Sequence, residues 1–280
     1  MSMPCQQGCI RSKAGGWLLA LALIAALAGS ARAGVVYDSG GFEAPTFSLG
    51  TLTGQDSGLW VESGSGATAI VQNTTAAGGQ AVQVQRTTGD DRFFPQLPTT
   101  PTVKRFVTID WDMSVARTTA DNVPFGPFFG VEAYTPSVLL LGAAGVDATT
   151  GDVLFEAPKT GNLTVTGTKV NFDKFNHFQL VIDNTAKSVS ILVNNKLAHK
   201  ANGFVDPGAT GFSDADISAL AAQSEPPTEP GTAIFDNYKV ATSAKPPVNM
   251  VALPPAFWSG VAGLLFAGCL AIQYRRRRAA

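Results

Sequence analysis

Asp110 and Asp112 form the carboxylate pair with the most suggestive spacing in this chain. They flank Trp111 in an alternating segment, so an extended strand would place them about 6.5 Å apart on one face. Enzymes that hydrolyse glycosidic bonds use two carboxyl groups near this separation. However, Ser114 and Val115 follow, and no third acid continues the pattern. We interpret the pair as a solvated strand face, with a calcium or sugar contact and catalysis as the alternatives.

The two histidines and the known catalytic motifs give no further candidate for an active or metal site. His177 and His199 cannot by themselves form a three-ligand zinc site, and the sequence contains no His-x-x-x-His and no Gly-x-Ser-x-Gly elbow. We expect His177 to be structural and His199 to face solvent on an edge strand. Together with the missing third acid, these absences predict a protein that is not an enzyme.

Calcium is the metal that the acidic residues could bind, because it needs only clustered oxygen ligands. Glu43 and Asp236 flank the first and last strands of the expected fold, whose chain ends should lie side by side. We therefore predict these two residues as ligands of a weak calcium site. The Asp90-Asp91 loop and the pair Asp214/Asp216 are alternative candidates. The competing interpretation is that all of these residues are solvated turn residues.

Aromatic side chains beside Gly/Pro-rich loops could stack on sugar rings. Phe93-Phe94 and the segment 125–129 lie in such positions, and Trp60 follows a polar turn. We expect the phenylalanines to close the ends of the domain and Trp60 to pack inside. No glycan-binding residue is assigned from these patterns.

Alternation of apolar and polar residues predicts many short strands. The clearest are the segment 105–115 and a meander, in which strands around residues 178–182 and 189–193 are followed by the turn Asn194-Asn195. A single helical segment is predicted at 214–223, with Ser213 as its N-cap. This pattern indicates an all-β domain, an antiparallel β-sandwich of jelly-roll type. Its expected core includes Trp111, Phe178, Ile182, Ile191 and Phe235.

The N-terminus has the layout of a secretory signal peptide. Arg11 and Lys13 precede an apolar segment, 17–28, and Ala31-Arg32-Ala33 provides a small-x-small cleavage site. We therefore predict that signal peptidase removes residues 1–33. The exported domain would comprise residues 34–241, followed by a Ser/Lys/Pro linker at 242–250.

The C-terminus, residues 251–280, has the layout of a membrane anchor. An apolar run at 256–274 is long enough for a transmembrane helix. It is followed by a basic cluster that would stay in the cytoplasm and place the preceding domain outside it. The cluster consists of Arg275, Arg276, Arg277 and Arg278.

These two ends, with a proline-containing motif before the helix, resemble the PEP-CTERM family of bacterial exosortase substrates. In the variant that reads roughly Val-Pro-Leu-Pro-Ala-Ala, the matching residues here are Val251, Leu253, Pro254 and Ala256, whereas Ala252 and Pro255 depart from it. The resemblance implies sorting by an exosortase, removal of the helix, and export to the cell surface or an extracellular polysaccharide matrix. An anchor that is never cleaved is the alternative.

The segment 175–183 and the following 188–195 resemble strand signatures of concanavalin A-like, laminin-G-like sandwiches. Phe175 stands where that signature has tryptophan, and Asn195 where it has glycine. Glycosidases of family-16 type share this sandwich and carry Glu-x-Asp-x-x-Glu, of which Asp110-Trp111-Asp112 is only a partial analogue.

Net charge limits the partners of the exported domain. Without the two ends, 13 cationic residues face 21 acidic ones, a net charge of −8. Such a domain would repel phosphate backbones, which argues against nucleic acid. We therefore predict a non-enzymatic surface or matrix protein with a glycan or exopolysaccharide as candidate ligand. The alternatives are a polysaccharide-active glycosidase on the same fold and a passive structural protein.

Overall fold

The computed structural model describes residues 34–75, 77–97, 101, 103–119, 125–221 and 230–250. These residues form sixteen strands, listed here in chain order: β1 (Gly34–Asp38), β2 (Gly50–Thr51), β3 (Trp60–Gly64), β4 (Ala67–Thr74), β5 (Gly79–Arg86), β6 (Asp91–Pro95), β7 (Phe106–Val115), β8 (Pro127–Tyr134), β9 (Leu140–Asp147), β10 (Asp152–Glu156), β11 (Leu163–Lys169), β12 (Asn176–Asp183), β13 (Ser188–Val193), β14 (Lys196–Asn202), β15 (Asp214–Ala221) and β16 (Gly231–Ser243). One helical turn at Gln55–Gly58 and 3₁₀ turns at Gly40–Phe42 and Val248–Met250 complete the described elements.

The strands form two antiparallel sheets. Sheet A has the order β14-β13-β12-β7-β16-β5-β4-β2, with β1 also pairing with β16. Sheet B has the order β11-β10-β9-β8-β15-β6-β3. The predicted all-β sandwich is thus confirmed at this level.

The core lies between the two sheets, because alternate residues of each strand point inward. Trp111 and Phe178 occupy directly opposed positions on β7 and β12, and their rings stack with centroids 5.4 Å apart. All five core residues that the alternation predicted are buried, and Trp60 also packs inside. The outward residues of each strand therefore form the two outer faces on which chemistry could take place.

The predicted meander is confirmed. Strands β12, β13 and β14 are adjacent in sheet A, and β13 and β14 are joined at Asn194 and Asn195. Both asparagines have positive φ values of 50° and 63°, a conformation that asparagine tolerates because its short polar side chain bonds locally.

The predicted helix at 214–223 is wrong, because residues 214–221 form β15. Ala215, Ile217 and Ala219 point into the core. Their polar neighbours Asp214, Asp216 and Ser218 point outward. This period of two fits a strand, and β15 gains backbone pairing on both sides from β8 and β6.

The segment expected to be a linker contacts sheet A. Strand β16 extends to Ser243, and Asn249 Nδ2 donates a hydrogen bond of 2.9 Å to Gln179 Oε1. Met250 packs against an outer-face apolar cluster of Phe106, Val181 and Leu192. These contacts hold the chain against the sheet up to residue 250.

Candidate active site on sheet B

The predicted pair Asp110 and Asp112 lies on the outer face of sheet A in a polar network. His177 Nδ1 lies 2.9 Å from Asp112 Oδ1, and Asn237 Nδ2 donates to Asp112 Oδ2 over 2.8 Å. Gln179 Nε2 donates to Asp110 Oδ1 over 2.6 Å. Each carboxylate therefore has a donor from a neighbouring strand. This network supports the interpretation as a polar strand face.

Within this network His177 is held by the carboxylate opposite it. The Asp112 hydrogen bond raises the pKa of His177. Burial opposes ionisation of Asp112, but the bonds from His177 and Asn237 leave the pKa of Asp112 lowered. An ion pair between these two side chains therefore fits the structural role expected for His177.

A second polar cluster lies on the outer face of sheet B and is much more deeply buried. Glu132 on β8 is directly opposite Asp216 on β15, and the two residues are 1% and 5% exposed. Tyr134 is similarly opposite Asp214, two residues further along both strands. Directly opposed residues in an antiparallel ladder have Cα atoms about 4.5–5.5 Å apart. Two carboxyl groups thus share one small region that is shielded from water.

Glu132 is bound by two donors from β6 and β15. Arg92 Nε donates to Glu132 Oε2 over 2.7 Å, and Arg92 Nη2 to Oε1 over 3.3 Å. Ser218 Oγ donates to Glu132 Oε2 over 2.6 Å. Arg92 Nε also donates to the Tyr134 hydroxyl over 3.1 Å. This bidentate ion pair fixes the position of the Glu132 carboxylate.

Asp216 has a very different environment, although it is opposite Glu132. Its Oδ1 atom is buried and has no hydrogen-bond partner among the residues that the structure describes. Burial raises the pKa of Asp216 to about 8, and the charges of Asp214 and Glu132 contribute to the rise. At neutral pH Asp216 is therefore a protonated acid beside an ion-paired carboxylate. Two such groups with divergent environments are the usual basis for separate acid and base roles.

Apolar residues flank the carboxyl groups along the strands, and those around Phe128 form a buried cluster. Gly130 and Gly145 are paired on β8 and β9, and a Cβ atom on Gly130 would lie 2.3 Å from the Ala144 carbonyl oxygen. This position therefore has no room for a side chain. The Phe128 ring lies over these glycines and packs with Leu154 and Leu220 on the outer face. On the other side, Phe94 is the partly exposed neighbour of the buried Phe93. The earlier aromatic candidates thus divide, with Phe93 and Phe129 in the core and Phe94 and Phe128 on the outer face.

The predicted calcium ligands Glu43 and Asp236 lie close together. A Cβ atom on Gly41 would lie 3.4 Å from Asp236 Oδ1 and 3.6 Å from Glu43 Cγ. Glu43 Oε1 accepts a hydrogen bond of 2.7 Å from the backbone of Gln80. Burial raises the pKa of Asp236 to about 6, with Asp112 and Glu43 adding to the rise. No group of three or more potential metal-binding side chains occurs in the described part of the chain.

The remaining site predictions have mixed outcomes. His199 is stacked on Phe155 with ring centroids 3.8 Å apart, so it is not simply solvent-facing. The sorting motif, the arginine cluster and the helix predicted at 256–274 lie outside the described residues. None of the helices within those residues is long and apolar enough to span a membrane.

Comparison with known proteins supports the fold. Neither a family model nor a curated protein matches the chain. A solved sialidase matches with a TM-score of 0.50 and 10% identity over 67% of this chain, but this chain covers only 17% of the sialidase. The cellulose-induced protein Cip1 matches with a TM-score of 0.49 and 12% identity, over 66% of this chain and 91% of that protein. A carbohydrate esterase from the Shiga toxin-encoding bacteriophage phi24B matches with a TM-score of 0.46 and 14% identity, over 70% of this chain and 97% of the esterase.

The prediction that the protein is not an enzyme is contradicted, because the chain shares its sandwich fold with a solved sialidase. The prediction relied on missing sequence signatures. It overlooked carboxyl groups that only sheet pairing brings together.

Proposed function

We propose that this protein hydrolyses glycosidic bonds at the outer face of sheet B, with Asp216 and Glu132 as its two carboxyl groups. The observation that carries the proposal is their direct pairing in opposite environments. Asp216 is buried and lacks a partner for Oδ1 in the described part of the chain, whereas Glu132 is ion-paired with Arg92. The fold shared with a solved sialidase adds support.

In the proposed reaction, Asp216 supplies the proton and Glu132 supplies the attacking carboxylate. Asp216 donates its proton to the glycosidic oxygen as the bond to the anomeric carbon breaks. A Glu132 oxygen forms a bond to that carbon on the opposite side. Water then attacks the glycosyl ester, gives its proton to Asp216, and releases Glu132 as a carboxylate. Opposed positions in an antiparallel ladder are compatible with the carboxyl separation of about 5–5.5 Å in retaining glycosidases.

Arg92, Ser218 and Tyr134 would act as positioning residues. Arg92 and Ser218 both bond Glu132 Oε2, which leaves Oε1 with only the longer 3.3 Å contact to Arg92. We expect Oε1 to be the attacking oxygen for this reason. Phe94 is partly exposed and provides apolar surface that suits the face of a sugar ring, whereas Phe128 is fully buried.

Release of reducing ends tests the proposal. The purified protein would be incubated with laminarin, cellulose oligomers, chitosan and alginate, alongside Asp216→Asn and Glu132→Gln. General acid catalysis contributes roughly 10²–10⁴-fold, so Asp216→Asn should lose at least about a hundredfold in rate. Asp112→Asn on sheet A is the matched control and should keep full activity. No release from any substrate, or equal rates for Asp216→Asn and wild type, would contradict the proposal.

The terminal segments support a second, independent part of the proposed function. We infer that signal peptidase and an exosortase process the two ends, and that the domain reaches the surface or an extracellular polysaccharide. The membrane would hold the chain only until the C-terminal helix is removed. This part depends on sequence alone, through the paired signals at residues 1–33 and 251–280.

A further inference from the structure

One edge of sheet A concentrates positive charge in an otherwise acidic domain. From residue 184 to residue 205 the chain contains three lysines and no acidic residue, although the exported domain has a net charge of −8. Two of these lysines, Lys196 and Lys200, are exposed on β14, the last strand at this edge. Every salt bridge among the described residues involves other side chains, so neither lysine is neutralised within that part of the chain.

An exposed leucine lies between the two lysines. Leu197 is 59% exposed, and it is directly opposite Leu192 on the outer face of β13. Directly opposed residues share one face of a sheet, so Leu197 points out of the sandwich. Lysines on an edge strand commonly prevent pairing with a second chain, but an exposed leucine does not add to that protection. The combination is suited to a partner that has both an anionic and an apolar part.

The described chain ends at the same edge. Asn249 Nδ2 donates a hydrogen bond of 3.2 Å to Asn195 Oδ1, in the turn that directly precedes β14. Met250 packs against the outer-face cluster that contains Leu192 of β13. The six residues 251–256 span at most about 20 Å. The membrane helix that the sequence predicts from residue 256 therefore starts within about 20 Å of this edge.

We infer that the basic edge, which consists of Lys196, Leu197 and Lys200, binds an anionic lipid surface while the chain is anchored. The inference rests on the membrane-held stage of the proposed function and is independent of hydrolysis. The lysines would contact lipid phosphates, and Leu197 would enter the boundary between headgroups and acyl chains. An acidic extracellular polymer offers negative charge without an apolar layer, so it would leave Leu197 uncovered.

This contact would also orient the proposed active site. Strand β11, the edge of sheet B, borders β14. In sheet B, β11 is followed by β10, β9, β8 and β15, and the last two carry Glu132 and Asp216. At about 4.8 Å between neighbouring strands, these carboxyl groups lie about 14–19 Å beyond β11. Binding through the basic edge would thus hold the proposed active site above the lipid surface, where an extracellular polymer reaches it.

A fluorophore attached to the edge tests the inference. The full chain, with Cys5, Cys9 and Cys269 replaced by serine, would be labelled with nitrobenzoxadiazole at Leu197→Cys and reconstituted in vesicles that contain spin-labelled lipid. We expect quenching when the vesicles contain phosphatidylglycerol, and loss of that quenching in pure phosphatidylcholine or as salt is added. The same label at Ile70→Cys is the control and should not be quenched. Ile70 is also exposed, but it lies on β4, six strands from β14.

Charge variants connect the quenching to the lysines. A lysine near an anionic lipid surface contributes roughly fivefold to binding, so Lys196→Gln combined with Lys200→Gln should lower the edge-bound fraction at least about tenfold. Lys104→Gln combined with Lys245→Gln removes the same charge from exposed positions outside β14 and should leave the quenching unchanged.

The outcomes separate this inference from the proposed anchoring. A chain that remains on washed vesicles without quenching at position 197 would overturn the inference and leave the anchor intact. Equal quenching at positions 197 and 70, or quenching that persists in the Lys196/Lys200 variant, would also overturn it. An edge that binds soluble alginate but not lipid would show that the partner is an acidic polymer instead. A chain that is washed off the vesicles would contradict both the anchor and the inference.

Discussion

Replacing Asp216 by asparagine should stabilise the protein at neutral pH while removing the proposed hydrolytic activity. The substitution keeps the size of the side chain and removes its ability to ionise. In the wild type, burial raises the pKa of Asp216 to about 8, against roughly 3.9 for an aspartate in an unfolded chain. The folded state thus keeps a proton that the unfolded state releases over this pH range.

The size and sign of the effect follow from this difference. Between about pH 4 and pH 8 the folded state binds about one proton more than the unfolded state, so this group makes the free energy of unfolding fall by about 1.4 kcal/mol per pH unit as pH rises. This destabilisation by Asp216 is absent below about pH 4 and reaches its full size above about pH 8. At pH 7, which is roughly three pH units above the pKa of the unfolded state, the penalty in unfolding free energy is about 4 kcal/mol. Asparagine avoids this penalty because it is neutral in both states.

Urea unfolding at several pH values measures the prediction. We expect the difference in unfolding free energy between Asp216→Asn and wild type to be near zero at pH 4 and to rise to several kcal/mol in favour of the variant at pH 8. The control Asp173→Asn removes one charge from an exposed loop and should show no such trend. A difference that does not change between pH 4 and pH 8 would refute the assignment of Asp216 as a buried acid.

Three further predictions concern the core, the chain ends and metal binding. Trp111→Ala should lower the free energy of unfolding by about 3–5 kcal/mol, because it empties a fully buried site against Phe178; a loss below about 1 kcal/mol in urea unfolding would contradict this. Calcium at about 5 mM should raise the melting temperature by about 2–4 °C relative to EDTA, and Asp236→Asn should abolish that shift; equal wild-type values would exclude the site. The intact mass of the surface form should lack residues 1–33 and the C-terminal helix, whereas a mature species that retains Arg275 to Arg278 would exclude exosortase cleavage.

The fold was accessible from the sequence wherever a strand has one apolar and one polar face. Strand β7 is such a case, because its alternation correctly places Trp111 in the core. The sequence of β15 predicts a helix wrongly, because Ala, Ser and Asp are small and give a weak pattern in either period. Its Ser213 resembles a helix N-cap, yet its hydroxyl donates to Asp214 Oδ2 instead. Pairing with β6 and β8 decides the outcome, and a single segment does not reveal that pairing.

The candidate site was less accessible, because its residues come from three separated strands. Arg92 and Glu132 are 40 residues apart, and Ser218 is a further 86 residues along the chain. Only the sheet order β8-β15-β6 brings them together. One signal is present in the sequence, since Glu132 and Tyr134 continue the outward positions of β8 and Asp214 and Asp216 form an acidic pair. Interpreting these residues as one group required the register between the strands.

Comparison of the two outer faces indicates why the acidic pair on sheet A and that on sheet B differ in chemistry. Asp110 and Asp112 lie two residues apart on one strand and obtain donors from Gln179, His177 and Asn237. Asp216 lies opposite another carboxyl group, Glu132, whose two strong donors are both directed at Glu132 itself. Burial also raises the pKa of Asp110, whereas the donors to Asp112 leave its pKa lowered. Aspartates at outward strand positions thus differ in the donors that neighbouring strands supply. The distribution of donors across strands, more than the presence of carboxyl groups, therefore determines how readily each carboxyl group ionises.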